Sequence, residues 1–287
     1  MAKTGELNFF NKHSKGIFNF FAYMILIIVT IPIIIAYLWL IMRSFSTDMN
    51  GFIPVGLTLA NWSFLWKSNS NIGLPNIWII TLNTLLLAIG VAAINLFLAS
   101  ISGFAFSRFN FKGNKSLLLL LLLLHAFPTI ALMVSIFYIL NAIHLLNTLW
   151  GVILLTSSMD LPWDIWIIKG FYDSIPAELE WAGVVDGYSR IAVWWKVLIP
   201  NIKHGLFVIG IFEFLAGWSQ FIFVTTFIFN NSYWTLSQYV YTALGDYRFA
   251  NYGLLTAISV WYIIPVALLF AVAGKYLTQM SLGGVKG

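Results

Sequence analysis

Six stretches of predominantly apolar residues, at roughly 20–42, 77–101, 117–140, 148–168, 206–229 and 254–276, constrain this chain more than any other feature. A helix of about 20 residues crosses the hydrocarbon of a bilayer. Only helices and closed barrels satisfy every backbone polar group there. The sequence therefore predicts an all-α, polytopic membrane protein with six transmembrane helices. Composition agrees: 60% of the 287 residues are hydrophobic and 9% are charged, against roughly a quarter charged in a soluble domain. The first apolar run is too long for a cleavable signal peptide and lacks a small-residue cleavage site. With no cysteine, disulfides and thiolate metal sites are excluded.

Orientation follows from the cations, because loops rich in Lys and Arg stay in the cytoplasm. With a cytoplasmic N-terminus, twelve of the fifteen Lys and Arg fall on the inner side, leaving only Arg43, Lys67 and Arg248 outside. Both termini are then cytoplasmic. The expected layout is an N-terminal segment 1–19, one six-helix domain 20–276 with a cytoplasmic loop 176–200, and a tail 277–287. Trp62, Phe64 and Trp66 in the outer loop 44–76 are expected at the headgroup level. Neither an internal repeat nor a low-complexity linker is visible.

Polar residues inside the spans are few and costly, and are candidates for function. Asp160 and Asp164 stand at i and i+4, with Pro162 between them, and are expected on one helix face lining a polar path. Glu213 lies well inside the fifth span and must face protein or water. His125, before Phe127-Pro128, reads as a satisfied interior group rather than a ligand. A nucleophile–base pair, metal-ligand spacing and a phosphate-binding glycine loop are all missing from the pattern. The chain is not expected to be an enzyme.

The longest polar stretch is 176–200, PAELEWAGVVDGYSRIAVWWKVLIP. Helical spacing gives two short helices, 177–185 and 190–198, joined at Asp186-Gly187. Glycine there permits a backbone conformation that a side chain penalises, and Asp186 suits an N-cap. Pro200 suits the first turn of the next span. A helix–turn–helix with polar ends and an apolar body looks built to be gripped by another protein.

This stretch resembles the EAA loop of the permease subunits of ABC importers. The matching positions are Trp181-Ala182-Gly183, Gly187 and Val197-Leu198-Ile199-Pro200, with the family spacing kept. Asn83-Thr84, the segment from Gly103 to Gly113, Trp218-Ser219-Gln220-Phe221 and the glycine-rich end 283–287 resemble the second, MalG-like permease of maltose-type carbohydrate importers. The resemblance implies the ABC type I importer permease fold in a bacterial plasma (inner) membrane. It further implies a heterodimer with a second permease, two ATP-binding subunits that hold the ATP and Mg, and an extracellular or periplasmic solute-binding protein delivering carbohydrate. No cofactor or metal in this chain and no nucleic-acid partner are implied.

By the same resemblance, Glu178, Glu180, Trp181, Ala182, Gly183, Asp186 and Gly187 form the ATPase-coupling loop, anchored at Pro200. Gly284 and Lys286 in the tail contact the ATPases, and Gly245, Asp246, Tyr247 and Arg248 face the binding protein. Trp181 departs from the family, which has Glu there; Glu180 is expected to replace that contact. Alternatives are a gradient-driven secondary transporter or channel, a membrane-embedded enzyme, and an ABC importer of another solute such as a phosphorylated polyol.

Overall fold

The computed structural model of the protein describes residues 2–67, 75–245 and 251–283, with 2–18 and 275–283 described as helical backbone only. The chain divides into two compact units. One comprises residues up to Ser63 and the stretch ending at Trp261; the other runs from Phe64 to Gly245 and resumes at Tyr262.

In the first unit, helix α1 (Ala2–Ser44) carries the first apolar stretch. Its side chains from Phe20 to Met42 are almost all exposed, as suits a helix whose surroundings are hydrocarbon. A short hairpin follows, β1 (Asp48–Asn50) pairing antiparallel with β2 (Ile53–Val55). Side chains tie it down: Trp39 Nε1 donates to the Phe52 carbonyl at 2.7 Å. Asn61 Nδ2 donates to the carbonyls of Ser44 and Ser46. Trp62 stacks on Phe45 at 5.2 Å and is buried. Of the three aromatics expected at the headgroups, Trp62 and Phe64 are thus buried and only Trp66 is exposed.

Three helices form the centre of the second unit: α2 (Ile77–Arg108), α5 (Leu149–Asp173) and α8 (Ile199–Trp218). Side-chain caps start two of them. Asn76 accepts from Trp78 N, and Thr148 from Gly151 N. Two apolar clusters fill their interior. One holds Leu87, Val91, Val152, Ile153 and Phe223; the other holds Ala99, Ile165, Ile168, Tyr172, Leu198, Ile202 and Ile209.

Two expected spans are not single rods. The stretch 117–140 is broken into α3 (Asn114–His125) and α4 (Met133–Ala142), linked by a 3-10 turn at Thr129–Leu132 and bent by 86°. Pro128 causes the break: it has no N–H, and it pushes Phe127 away from helical geometry. The fifth span begins earlier than its apolar run suggests. Helix α7 (Arg190–Val193) passes through a π turn at Trp194–Leu198 straight into α8, making one membrane-length run from Arg190 to Trp218. Pro200 cannot donate to the carbonyl of Lys196. The chain widens instead, and Ile199 N–H bonds the Trp194 carbonyl. At its far end the run stops at Trp218-Ser219-Gln220. Gln220 Oε1 accepts from Phe223 N, and α9 (Ile222–Phe227) follows. The helix expected over 206–229 is therefore interrupted.

Asn83 and Thr84 fasten the segment beyond α9. Asn83 Nδ2 donates to the carbonyls of Ser232 and Trp234, and Thr84 Oγ1 accepts from Leu236 N at 2.8 Å. Helices α10 (Leu236–Leu244) and α11 (Tyr252–Gly283) complete the chain. The structure thus has five membrane-length helices, or six spans with the bent pair counted once, among the described residues.

Candidate functional site

The loop between α5 and α8 is built by its local sequence. Helix α6 (Ala177–Val185) starts after Pro176, with Glu178 and Glu180 in its first turn, where acidic side chains suit the positive end of the helix dipole. It ends at Gly187, whose φ is +88°. Tyr188 N bonds the Gly183 carbonyl and Gly187 N bonds that of Val184, the paired pattern of a left-handed helix stop. Asp186 therefore ends α6 rather than starting the next helix. Ser189 takes the N-cap expected of Asp186, its Oγ accepting from Ala192 N. Gly183 is buried because α7 crosses there: a Cβ would lie 3.1 Å from Val193.

Three contacts anchor this loop to the helices beneath it. Arg108, the last residue of α2, places Nε 3.0 Å from Glu180 Oε2, with both side chains mostly buried. The Nε–H is not aligned for a hydrogen bond, so this contact is an ion pair. The same guanidinium donates from Nη2 to the Ile175 carbonyl at 2.9 Å. Trp194 Nε1 donates to Tyr172 Oη, which shares a hydrogen bond with Ser100 Oγ. Opposite these anchors, Trp181 (64% exposed), Val185, Ile191 and Trp195 point outward. Glu178, Ala182, Asp186 and Pro200 are exposed as well. Glu180, expected to replace the missing family glutamate, faces Arg108 of its own chain.

Between the two apolar clusters lies a polar layer. Asn95 of α2 donates through one amide nitrogen to Asp164 Oδ2 at 3.0 Å and to Glu213 Oε2 at 2.6 Å. All three are buried, at 0%, 1% and 5% exposure. Asp164 and Glu213 are therefore clasped inside the helix interface among the described residues. Asp160 lies within electrostatic reach of both carboxyl groups but is partly exposed and outside their hydrogen-bonded clasp. The i, i+4 face expected of the two aspartates is split because α5 is packed by α2 and α8 at position 164 and is open at 160. His125 is hydrogen-bonded to the Met159 carbonyl, as expected of a satisfied group, but it is exposed rather than interior.

Gly245 closes α10 with φ +51°. Asp246, Tyr247, Arg248, Gly284 and Lys286 lie outside the described residues. Among the described residues, no group of three His, Asp or Glu could hold a metal ion.

A helical core fastened to a protruding amphipathic loop has close counterparts. Residues 95–280 match the family of binding-protein-dependent transport system inner membrane components. The chain belongs to this family. The matched region of the permease takes in Asn95, Arg108, the α6–α7 loop and the whole polar layer.

Among curated relatives, the sulfoquinovosyl glycerol transport system permease protein of Agrobacterium fabrum is 27% identical over 87% of this permease and 88% of the relative. The galactooligosaccharides transport system permease protein of Bacillus subtilis is 26% identical over 93% and 95%. The arabinooligosaccharides transport system permease protein of Halalkalibacterium halodurans is 29% identical over 86% and 89%. A chain of a bacterial ABC transporter that imports the acidic polysaccharide alginate has the same fold. Its TM-score is 0.78 at 20% identity, over 92% of this permease and 97% of that chain. The permease is thus an all-α, multi-pass protein of the plasma membrane with the ABC importer permease fold.

Sequence reasoning passed over Asn95 and saw Arg108 as a topology charge within the family-like segment from Gly103 to Gly113. An Asn in the middle of a 32-residue apolar helix is itself a signal, because a polar side chain at that depth needs a partner.

Proposed function

We propose that this chain is one of two permease subunits of an ATP-driven, binding-protein-dependent carbohydrate importer, and that α6–α7 couples it to the ATPases. The observation that carries this reading is the loop itself. An apolar face of Trp181, Val185 and Ile191 projects from the cytoplasmic ends of α5 and α8, braced by Arg108 and Tyr172. Family membership supports partners of three kinds: a second permease in a heterodimer, two ATP-binding subunits and a solute-binding protein. The ATP and Mg are held by the ATP-binding subunits.

In this reading Trp181 supplies by aromatic burial what a glutamate supplies by charge. Glu180 acts as a positioning residue through Arg108. The tail with Gly284 and Lys286 also reaches the ATPases, and the Gly245–Arg248 stretch faces the binding protein. A pocket that closes around the loop on ATP binding moves α5 and α8 with it. Coupling of this sort needs two global states that nucleotide and solute bias differently.

The sugar names of all three relatives support carbohydrate over a polyol phosphate, and family membership weighs against a gradient-driven carrier. The test is uptake by the complete importer in proteoliposomes. Labelled galacto- and arabino-oligosaccharides, maltodextrin and sulfoquinovosyl glycerol form the panel. Uptake requiring internal ATP and the binding protein supports the reading. Uptake that persists without ATP and collapses with the ion gradient overturns it.

A further inference from the structure

Helix α5 carries a row of flat side chains that neither the polar layer nor the coupling loop uses. Trp163 and Trp166 stack with ring centroids 5.2 Å apart and planes inclined by 24°. His125 of α3 continues the stack over Trp163, at 6.2 Å and 16°. Both indoles are about half exposed, and the imidazole is exposed. The imidazole is held in register: Nδ1 lies 2.7 Å from the Met159 carbonyl, in the turn that Pro162 loosens. A carbonyl only accepts, so Nδ1 carries the hydrogen, and in the neutral form of the ring Nε2 is an acceptor.

Asp160 stands one turn from Trp163 along α5, within electrostatic reach of His125. It is partly exposed and makes no hydrogen bond or ion pair to the described residues. Beside this cluster the third span breaks, and a groove of about 470 Å³ opens between Leu124, His125, Phe127, Met159 and Pro162.

Two conditions meet on this one face. A carboxyl group and an imidazole near the middle of membrane-spanning helices do not lie against hydrocarbon. A broken span is tolerated only where it is buried in protein or lines a water-filled cavity. A pyranose ring fits what is left: its apolar C–H face matches an indole, and its hydroxyl rim supplies donors to bare acceptors. A lipid chain supplies no donor, and an apolar helix of a neighbouring subunit would strand Asp160.

We propose that the His125–Trp163–Trp166 stack, edged by Asp160, is a carbohydrate-contact site on the translocation path. The ring stacks on Trp163 and Trp166, and its hydroxyls donate to Asp160 and to Nε2 of His125. The proposal rests on the importer reading and names where that importer's cargo touches this subunit.

The chain contains no cysteine, so single cysteines report on it directly. In the full importer, Ser158→Cys at the rim of the groove should react with a charged methanethiosulfonate reagent. The sugar that the uptake panel selects should slow that reaction. Ile28→Cys on the exposed face of α1 should not react. Trp163→Leu and Trp166→Leu should each lower uptake about tenfold, the worth of an aromatic contact of roughly 1.4 kcal/mol. The Phe variants should retain most of it, and the second permease should co-purify throughout. An unreactive Ser158→Cys, or Leu serving as well as Phe, overturns the proposal. Loss of the second permease from the Leu variants also overturns it, by making the face a subunit interface. If the wild-type importer takes up no sugar of the panel, the importer reading falls first. Normal wild-type uptake with a dry groove removes only the site.

Discussion

Reversing the charges of Arg108 and Glu180, singly and together, separates two accounts of the coupling loop. At an effective dielectric near 20, unit charges 3.0 Å apart attract by about 5 kcal/mol before desolvation. Desolvation removes much of this, because the side chains are only 14% and 17% exposed. Misalignment of the Nε–H removes more. A coupling energy of about 2 kcal/mol remains, between the exposed and the fully buried limits. Glu180→Arg sets two guanidiniums together and frees α6 from α2. Substrate-stimulated ATP hydrolysis by the reconstituted importer should then fall about thirtyfold, the equivalent of that energy. Arg108→Glu should fall similarly, and it also loses the bond to the Ile175 carbonyl. The double exchange should recover most of the activity. If Glu180 served the ATPase directly, the exchange would present a cation to the partner and rescue nothing. A double variant as poor as the singles, or a harmless Glu180→Arg, refutes the intramolecular pair.

Three further outcomes are expected. Gly187→Val forces a β-branched side chain to φ +88° at a cost of about 1–2 kcal/mol; uptake should be lost while the protein still inserts and purifies. Trp181→Ala should weaken co-purification of the ATP-binding subunits by about 2 kcal/mol, as for a central aromatic anchor, whereas Glu178→Ala at the exposed rim should change it little. In detergent melts, Glu213→Gln should stay near wild type because it can still accept from Asn95, whereas Asn95→Leu should cost about 1–2 kcal/mol as both carboxyl groups lose their donor.

How much of this was legible in the sequence varies from element to element. Length and hydrophobicity located all six apolar stretches, since the bilayer imposes one length on every span. They misplaced the fifth, because α7 and the π turn are amphipathic and a window tuned to apolar residues begins counting at Leu206. The break at Pro128 was visible as a proline, but the 86° bend depends on what packs around it. Gly187 was read correctly because a positive φ is a local demand that glycine answers locally. The intramolecular partner of Glu180 was missed for the opposite reason. That partner, Arg108, lies 72 residues earlier in the sequence, and no periodicity within one helix connects the two. The Asp160–Asp164 pair was legible only as a pair: spacing puts two residues on one side of a cylinder, but neighbouring helices decide which is covered.

The clasp of Asn95 on Asp164 and Glu213 has a consequence for biogenesis. The α2 and α5 helices emerge from the ribosome first, and their pairing can satisfy only Asp164. Until α8 is inserted, the second hydrogen of the Asn95 amide has no carboxyl group to meet. A helix slipped by one turn, about 5.4 Å, would set Asn95 against apolar neighbours and strand two carboxyl groups in oil. The layer therefore acts as a checkpoint on assembly: native register is the arrangement in which both carboxyl groups meet the Asn95 amide N–H donors.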